Sequence, residues 1–131
     1  MDAVQTFLAA SHFAVAGAST NRDKYGNKVL RCYLQNNKSV TPINPRADEI
    51  EGVACVASVS DLPDNIESLS IITPPKITTE VVKQAISKGI KNIWMQPGAQ
   101  SDEGIDLCQK NGINVIADGS CVLVVMHYHE H

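Results

Sequence analysis

The stretch Phe13-Ala-Val-Ala-Gly-Ala-Ser-Thr20 constrains this chain more than any other. Ala14, Val15 and Ala16 are apolar and read as a buried strand. Gly17 ends that strand at a point where the backbone takes a positive φ or admits a close neighbour. Ser19 and Thr20 follow, then Arg22 and Lys24, and a helical pattern opens at Gly26. A strand, a glycine turn and a helix N-terminus together favour an anion, because free N–H groups and the helix dipole point at it.

Strand and helix patterns alternate through the rest of the chain. Residues 2–11 read as a short helix with Asp2 as its cap. The first strand, 12–17, leads to a helix over 26–36 with Val29, Leu30, Tyr33 and Leu34 on one face. The second strand, 39–43, holds Pro42 and therefore belongs at an edge, a strand end or an irregular position. Residues 48–62 are less regular, with a turn at Glu51-Gly52. A third strand spans 68–73. The helix over 77–88 is expected to bury Ile77, Val81, Val82, Ala85 and Ile86, and Gly89 closes it. A fourth strand, 92–95, a helix capped by Ser101 and a fifth strand, 113–117, complete the pattern. This alternation predicts a single α/β domain over 1–131. Its expected form is a Rossmann-like three-layer sandwich with a mostly parallel sheet of about five strands.

The bulk composition narrows the partners. With 11 basic and 14 acidic residues the net charge is −3, so neither nucleic acid nor a membrane surface is expected as a partner. No run approaches the roughly 18 apolar residues of a membrane span, and residues 1–11 lack a secretory pattern. The four cysteines form no C-x-x-C pair. A cytoplasmic location is the expectation. His127, His129 and His131 alternate in a tail and are read as frayed chain rather than a metal site.

In a parallel sheet ligands bind outside the carboxyl ends of the strands. Those ends read Gly17-Ala-Ser-Thr20, Asn44-Pro-Arg46, Thr73-Pro-Pro-Lys76, Gln96-Pro-Gly-Ala99 and Asp118-Gly-Ser-Cys121. The first departs from the G-x-G-x-x-G dinucleotide fingerprint, with Ser19 and Arg22 in place of the second and third glycines. The ribose-reading carboxylate after the second strand is also missing; Asn44, Pro45 and Arg46 stand there instead. That opposes NAD and suits a nucleotide with an extra ribose phosphate, such as coenzyme A or NADP.

Five pieces then stand in a telling order. They are Val15-Ala-Gly-Ala-Ser19 with Lys24-Tyr-Gly26, Val40-Thr-Pro-Ile-Asn-Pro45 with Glu51-Gly52, Thr73-Pro-Pro75, Trp94-Met-Gln-Pro-Gly98, and Asp118 with Cys121. In this the chain resembles the CoA-binding domain family, stand-alone Rossmann-like proteins related to the N-terminal domain of the succinyl-CoA synthetase α subunit. The resemblance implies Gly17, Ala18 and Ser19 against the CoA phosphates, with Arg22 and Lys24 as nearby cations. It implies Asn44, Pro45 and Arg46 by the adenosine 3′-phosphate and ribose. Thr73, Pro74 and Pro75 would wall the adenine or pyrophosphate side, and Gln96, Pro97 and Gly98 would face the pantetheine end.

The function so implied is binding of coenzyme A or an acyl-CoA, a nucleotide thiol, with no catalysis of the domain's own. The ligase relatives carry a phosphorylated histidine on a second domain, which these 131 residues are not expected to contain. Two alternatives stay open at this point: an NADP-dependent or other nucleotide-dependent enzyme, and an interaction subunit that binds no nucleotide. A homodimer is common in folds of this size, and the oligomeric state stays open as well. Asp118 is read as capping a turn, and Cys121 as a small buried residue in preference to a partner for the CoA thiol.

Overall fold

A computed structural model describes residues 2–130. Five parallel strands form the central sheet: β1 (His12–Ala16), β2 (Ser39–Ile43), β5 (Ser68–Ile71), β6 (Asn92–Met95) and β7 (Asn114–Ile116), in the order β2-β1-β5-β6-β7. Between β2 and β5 lies a small antiparallel hairpin of β3 (Glu49–Ile50) and β4 (Val53–Ala54), then a 3-10 turn over Val59–Asp61. The hairpin turns at Glu51 (φ 51°) and Gly52 (φ 80°), two left-handed residues as a tight two-residue connection requires. Pro42 sits in β2, an edge strand, where its missing N–H breaks no inner ladder.

Alternation along the strands builds the two outer layers. Phe13 and Val15 of β1 and Trp94 of β6 face one way. They meet α1 (Ala3–Leu8), α2 (Tyr25–Gln35) and α5 (Val122–Val125) through Phe7, Val29, Leu30, Tyr33 and Val122. Ala14, Ala16, Leu69, Ile71, Ile93 and Met95 face the other way, against α3 (Pro75–Lys88) and α4 (Asp102–Lys110). Two β5 serines lie on the first side and are buried, yet both are satisfied. Ser70 Oγ pairs with Tyr33 Oη at 2.6 Å, and Ser68 Oγ donates to the Phe7 carbonyl at 2.8 Å.

Helix ends follow the local chemistry. Asp2 and Gln5 form a reciprocal capping box, Ser101 Oγ accepts from Gly104 N at 3.0 Å, and Gly89 ends α3 at φ 86°. The buried face of α3 differs from expectation. Val82 and Ala85 are buried, but together with Thr78 and Thr79; Ile77 is 50% exposed, and Val81 and Ile86 are half-buried. The helix starts two residues early, on Pro75. The Thr78 hydroxyl then turns back to the carbonyls of Thr73 and Pro74, and Thr79 Oγ1 pairs with Ser101 Oγ at 2.6 Å. Satisfied threonines take the inner stripe, which rotates Ile77 outward.

Candidate functional site at the carboxyl edge of the sheet

From β1 the chain runs first to β2 on one side, then crosses to β5 on the other. The crevice above β1 and β5 is therefore the topological switch point, where ligands settle in such sheets. Gly17 leaves β1 at φ 91°. A Cβ there would meet the Ile72 carbonyl and, at 3.3 Å, Thr73 Cγ2. A Cβ on Gly26 would meet the Gly17 carbonyl. The two glycines thus let the first turn of α2 and the end of β5 close directly on the β1 loop.

The loop after Gly17 is held by its carbonyls. Asn44 Nδ2 donates to Ala18 O at 3.0 Å, Asn27 Nδ2 to Ser19 O at 2.9 Å, and Arg31 Nη2 to Arg22 O at 2.7 Å. In a planar trans peptide the carbonyl and the next N–H point opposite ways. Holding the carbonyls of Ala18 and Ser19 inward therefore turns the N–H groups of Ser19 and Thr20 outward. Neither N–H has a protein acceptor among the described residues, and nor does that of Tyr25 at the start of α2. Three open donors at the positive end of an eleven-residue helix suit a phosphate. Asn27 and Arg31 are buried, and Arg31 Nε donates to Asn27 Oδ1 at 2.6 Å, so the support is rigid. Neither residue was singled out in the sequence. Their only signal there was a polar pair four apart on an apolar helix.

Beside this loop lies a cavity of about 260 Å³. Gly17, Ala18, Pro45 and Thr73, all named from the sequence, line it. Ile77, Val81, Ser58 and Gln84 also line it and were missed. The spacing of Ile77 and Val81 predicts core positions; with α3 turned as it is, they form the cavity wall. Pro74 and Pro75 are exposed at the start of α3 and do not line the cavity. Asn44 works from behind: its Oδ1 accepts from Arg46 N at 2.8 Å and Ala47 N at 3.0 Å, shaping the turn that carries exposed Arg46 past Pro45.

Among the loop cations, Lys24 is exposed at the N-cap of α2, and Arg22 is paired with Glu51. Pro97 and Gly98 are exposed, and Gly98 N donates to Gln100 Oε1 at 2.8 Å. Gln96 is 0% exposed. Its Oε1 accepts from Val122 N at 2.9 Å and from Tyr25 Oη at 3.3 Å, while Nε2 has no partner among the described residues. A backbone N–H can only donate, so the Val122 bond fixes which way this amide points. Tyr25 Oη also meets Cys121 Sγ. Burial, then the Cys121 contact, pushes the Tyr25 phenol well above its ordinary value. Asp118 does cap a turn, accepting from the Ser120 hydroxyl at 2.6 Å and its N–H at 3.0 Å; the hydroxyl first and then the N–H lower its carboxyl. Of the tail histidines, His127 and His129 are exposed, and His131 lies outside the described residues.

Comparison with known proteins supplies the family. The profile described as CoA binding domain matches residues 11–127. The chain belongs to the CoA-binding domain family. This CoA-binding domain is 32% identical over 114 residues to the ADP-forming acetate–CoA ligase II of Archaeoglobus fulgidus, an alignment covering 78% of the domain and 17% of the ligase. It spans between 13% and 26% of the length of the archaeal ligases and ligase subunit it matches. Among solved structures, a conserved hypothetical protein from Pyrococcus furiosus matches at 39% identity and a TM-score of 0.83, covering 87% of the domain and 97% of that chain. A hypothetical protein from Pyrococcus horikoshii OT3 matches at 32% identity and a TM-score of 0.88, covering 96% and 87%. The Rossmann-like fold is thus shared with chains of similar length as well as with part of a ligase.

Proposed function

We infer that this domain binds coenzyme A or an acyl-CoA across the carboxyl edge of its sheet, without chemistry of its own. The observation that carries the reading is the junction of three open N–H groups, on Ser19, Thr20 and Tyr25, with the apolar cavity beside them. Coenzyme A needs both halves: a pyrophosphate for the donors and an adenine for the cavity. A cavity of about 260 Å³ is of the right order for the adenosine part. Gly17 and Ala18 floor the junction and Pro45 and Thr73 flank it, while Pro74 and Pro75 lie exposed at the start of α3, outside the cavity lining. Arg46 stands past Pro45 and would take the ribose phosphate. Lys24 would supply charge at the pyrophosphate. The pantetheine arm would run towards Pro97 and Gly98, with Gln96 beneath them.

Family membership supports the choice of CoA over NADP. The similarity to acetate–CoA ligases supports it too, although their catalysis belongs to proteins several times longer. Among the described residues no helix is long and apolar enough to cross a membrane. A cytoplasmic site of action fits a ligand of that kind. Native mass spectrometry of the purified protein, followed by calorimetry with CoA, acetyl-CoA, NADP and ADP, tests the reading. Retained CoA, or a preference for CoA over NADP, is the expected result. A preference for NADP would select the oxidoreductase alternative, and no binding of any of them the interaction subunit.

A further inference from the structure

Glu51 places a carboxylate against the phosphate loop, and the proposed function gives it no role. It sits in the β3–β4 turn, where its left-handed conformation and that of Gly52 fix the direction of its side chain. Its carboxylate accepts from Arg22 Nη1 and, at 3.2 Å, from Asn27 Nδ2. That Asn27 nitrogen is the one that holds the Ser19 carbonyl. The negative charge therefore lies two hydrogen bonds from the peptide whose N–H is offered outward. The Glu51 side chain is the less exposed of the two, at 20% against 52% for Arg22. Burial opposes its charge, but the hydrogen bonds from Asn27 and Arg22 prevail and hold the carboxyl below its ordinary range.

We propose that Glu51 is a built-in competitor at this site: it holds the Arg22 guanidinium, and a polyphosphate ligand must take that guanidinium over, so Glu51 sets how much negative charge a ligand needs. The inference rests on the phosphate-loop half of the proposed function. The physical argument is the mobility of the partners. Arg22 is anchored at its backbone carbonyl by Arg31, but its side chain is half in solvent, and an exposed ion pair is weak enough to exchange. Glu51 cannot follow it, because the turn and Asn27 hold it. A ligand that removes Arg22 leaves a fixed carboxylate near its own charge. A single phosphate gains one arginine against that repulsion. A pyrophosphate gains the arginine and the loop N–H groups together.

Glu51→Gln is the informative change, since a side-chain carbonyl can still accept from Asn27 while the charge is gone. Inorganic pyrophosphate, ADP and CoA are each titrated calorimetrically into the parent, Glu51→Gln and Glu51→Gln/Arg22→Gln. Glu51→Gln is expected to bind all three on the order of tenfold tighter, and the added Arg22→Gln to remove the gain. Unchanged or weaker binding by a folded Glu51→Gln overturns the inference and makes Glu51 a mere brace. Should Glu51→Gln fail to fold, the parent is read by ¹⁵N NMR. Pyrophosphate must then shift the Arg22 Nε resonance and leave that of Arg31 in place; a still Arg22 overturns the inference. The Glu51 effect with pyrophosphate and ADP but no CoA binding would overturn only the CoA reading. No binding of any of the three ligands to any of the three proteins would overturn both.

Discussion

The carbonyl of Gly17 occupies the place where a side chain on Gly26 would begin, so strand β1 and helix α2 touch backbone to backbone. Gly17 is itself pressed against the Ile72 carbonyl at the end of β5. This three-way backbone contact is the seat of the loop that follows β1. It changes what the first glycine is for. From the sequence, a side chain at Gly17 is expected to harm binding more than folding, either by taking room meant for a pyrophosphate or by forbidding the turn. In the structure that room is filled by the protein's own backbone.

Gly17→Ala and Gly26→Ala should therefore act on stability first. Each forces a Cβ into a carbonyl, and Gly17→Ala adds the strain of a positive φ. The expected loss is roughly 2 kcal/mol or more for each, read from urea unfolding midpoints. A Gly26→Ala protein with the parental midpoint would show that the contact opens freely.

Arg46 is exposed and bonds to Asn44 through its backbone N–H, and its side chain has no hydrogen-bond partner among the described residues, so Arg46→Ala should leave the fold intact. If it takes the ribose phosphate, CoA should bind more tightly than 3′-dephospho-CoA by about 1.5–3 kcal/mol. Calorimetry on the parent and on Arg46→Ala checks this. The difference between the two ligands should vanish in the variant.

Val81 lines the cavity from α3. Val81→Phe should fill it and weaken CoA binding by at least tenfold. 4′-Phosphopantetheine, which lacks the adenosine, should bind as before. Equal losses for both ligands would mean that the substitution disturbs the loop rather than an adenosine site.

Alkaline pH should destabilise the protein. Burial pushes both Cys32 and Cys108 up to about 11 from an ordinary 9.0, Cys121 adding to the effect at Cys32. Between those values the unfolded chain has lost these protons and the folded one has kept them. The unfolded state then binds fewer protons, so unfolding becomes easier as pH rises. The contribution is whole below pH 9 and gone above about 11. Urea midpoints measured from pH 7.5 to 10.5 should fall, and Cys32→Ala/Cys108→Ala should show a shallower fall from a lower start.

Tyr33 and Ser70 satisfy one another in the core at 2.6 Å. Tyr33→Phe leaves the serine hydroxyl buried with its partner gone, at an expected cost of about 1–3 kcal/mol. Adding Ser70→Ala should recover much of that loss, because both polar groups are then removed. A double variant no more stable than Tyr33→Phe would place the cost in packing instead.

The features legible in the residue order are local in origin. Alternating strand and helix patterns gave the parallel sheet, since a β–α–β crossover has one favoured hand. Asp2, Ser101 and Gly89 marked helix ends through bonds to atoms a few residues away. Pro42 pointed to an edge because it lacks one N–H. Parallel strands then brought Gly17, Asn44, Thr73, Gln96 and Asp118 to one side without further information. Tertiary structure alone decided the rest. Whether Ile77 is core or cavity wall depends on how far α3 rotates, and Thr79 sets that by reaching Ser101, 22 positions along the chain. Gln96 turns inward because Val122 offers an N–H there. Arg22 meets Glu51 across 29 positions, and Gly17 meets Ile72 across the switch point. Periodicity reports which side of an element is apolar. It carries no record of which distant polar group will be waiting on that side, and here Asn44, 26 positions from Ala18, is what turns the Ser19 N–H outward.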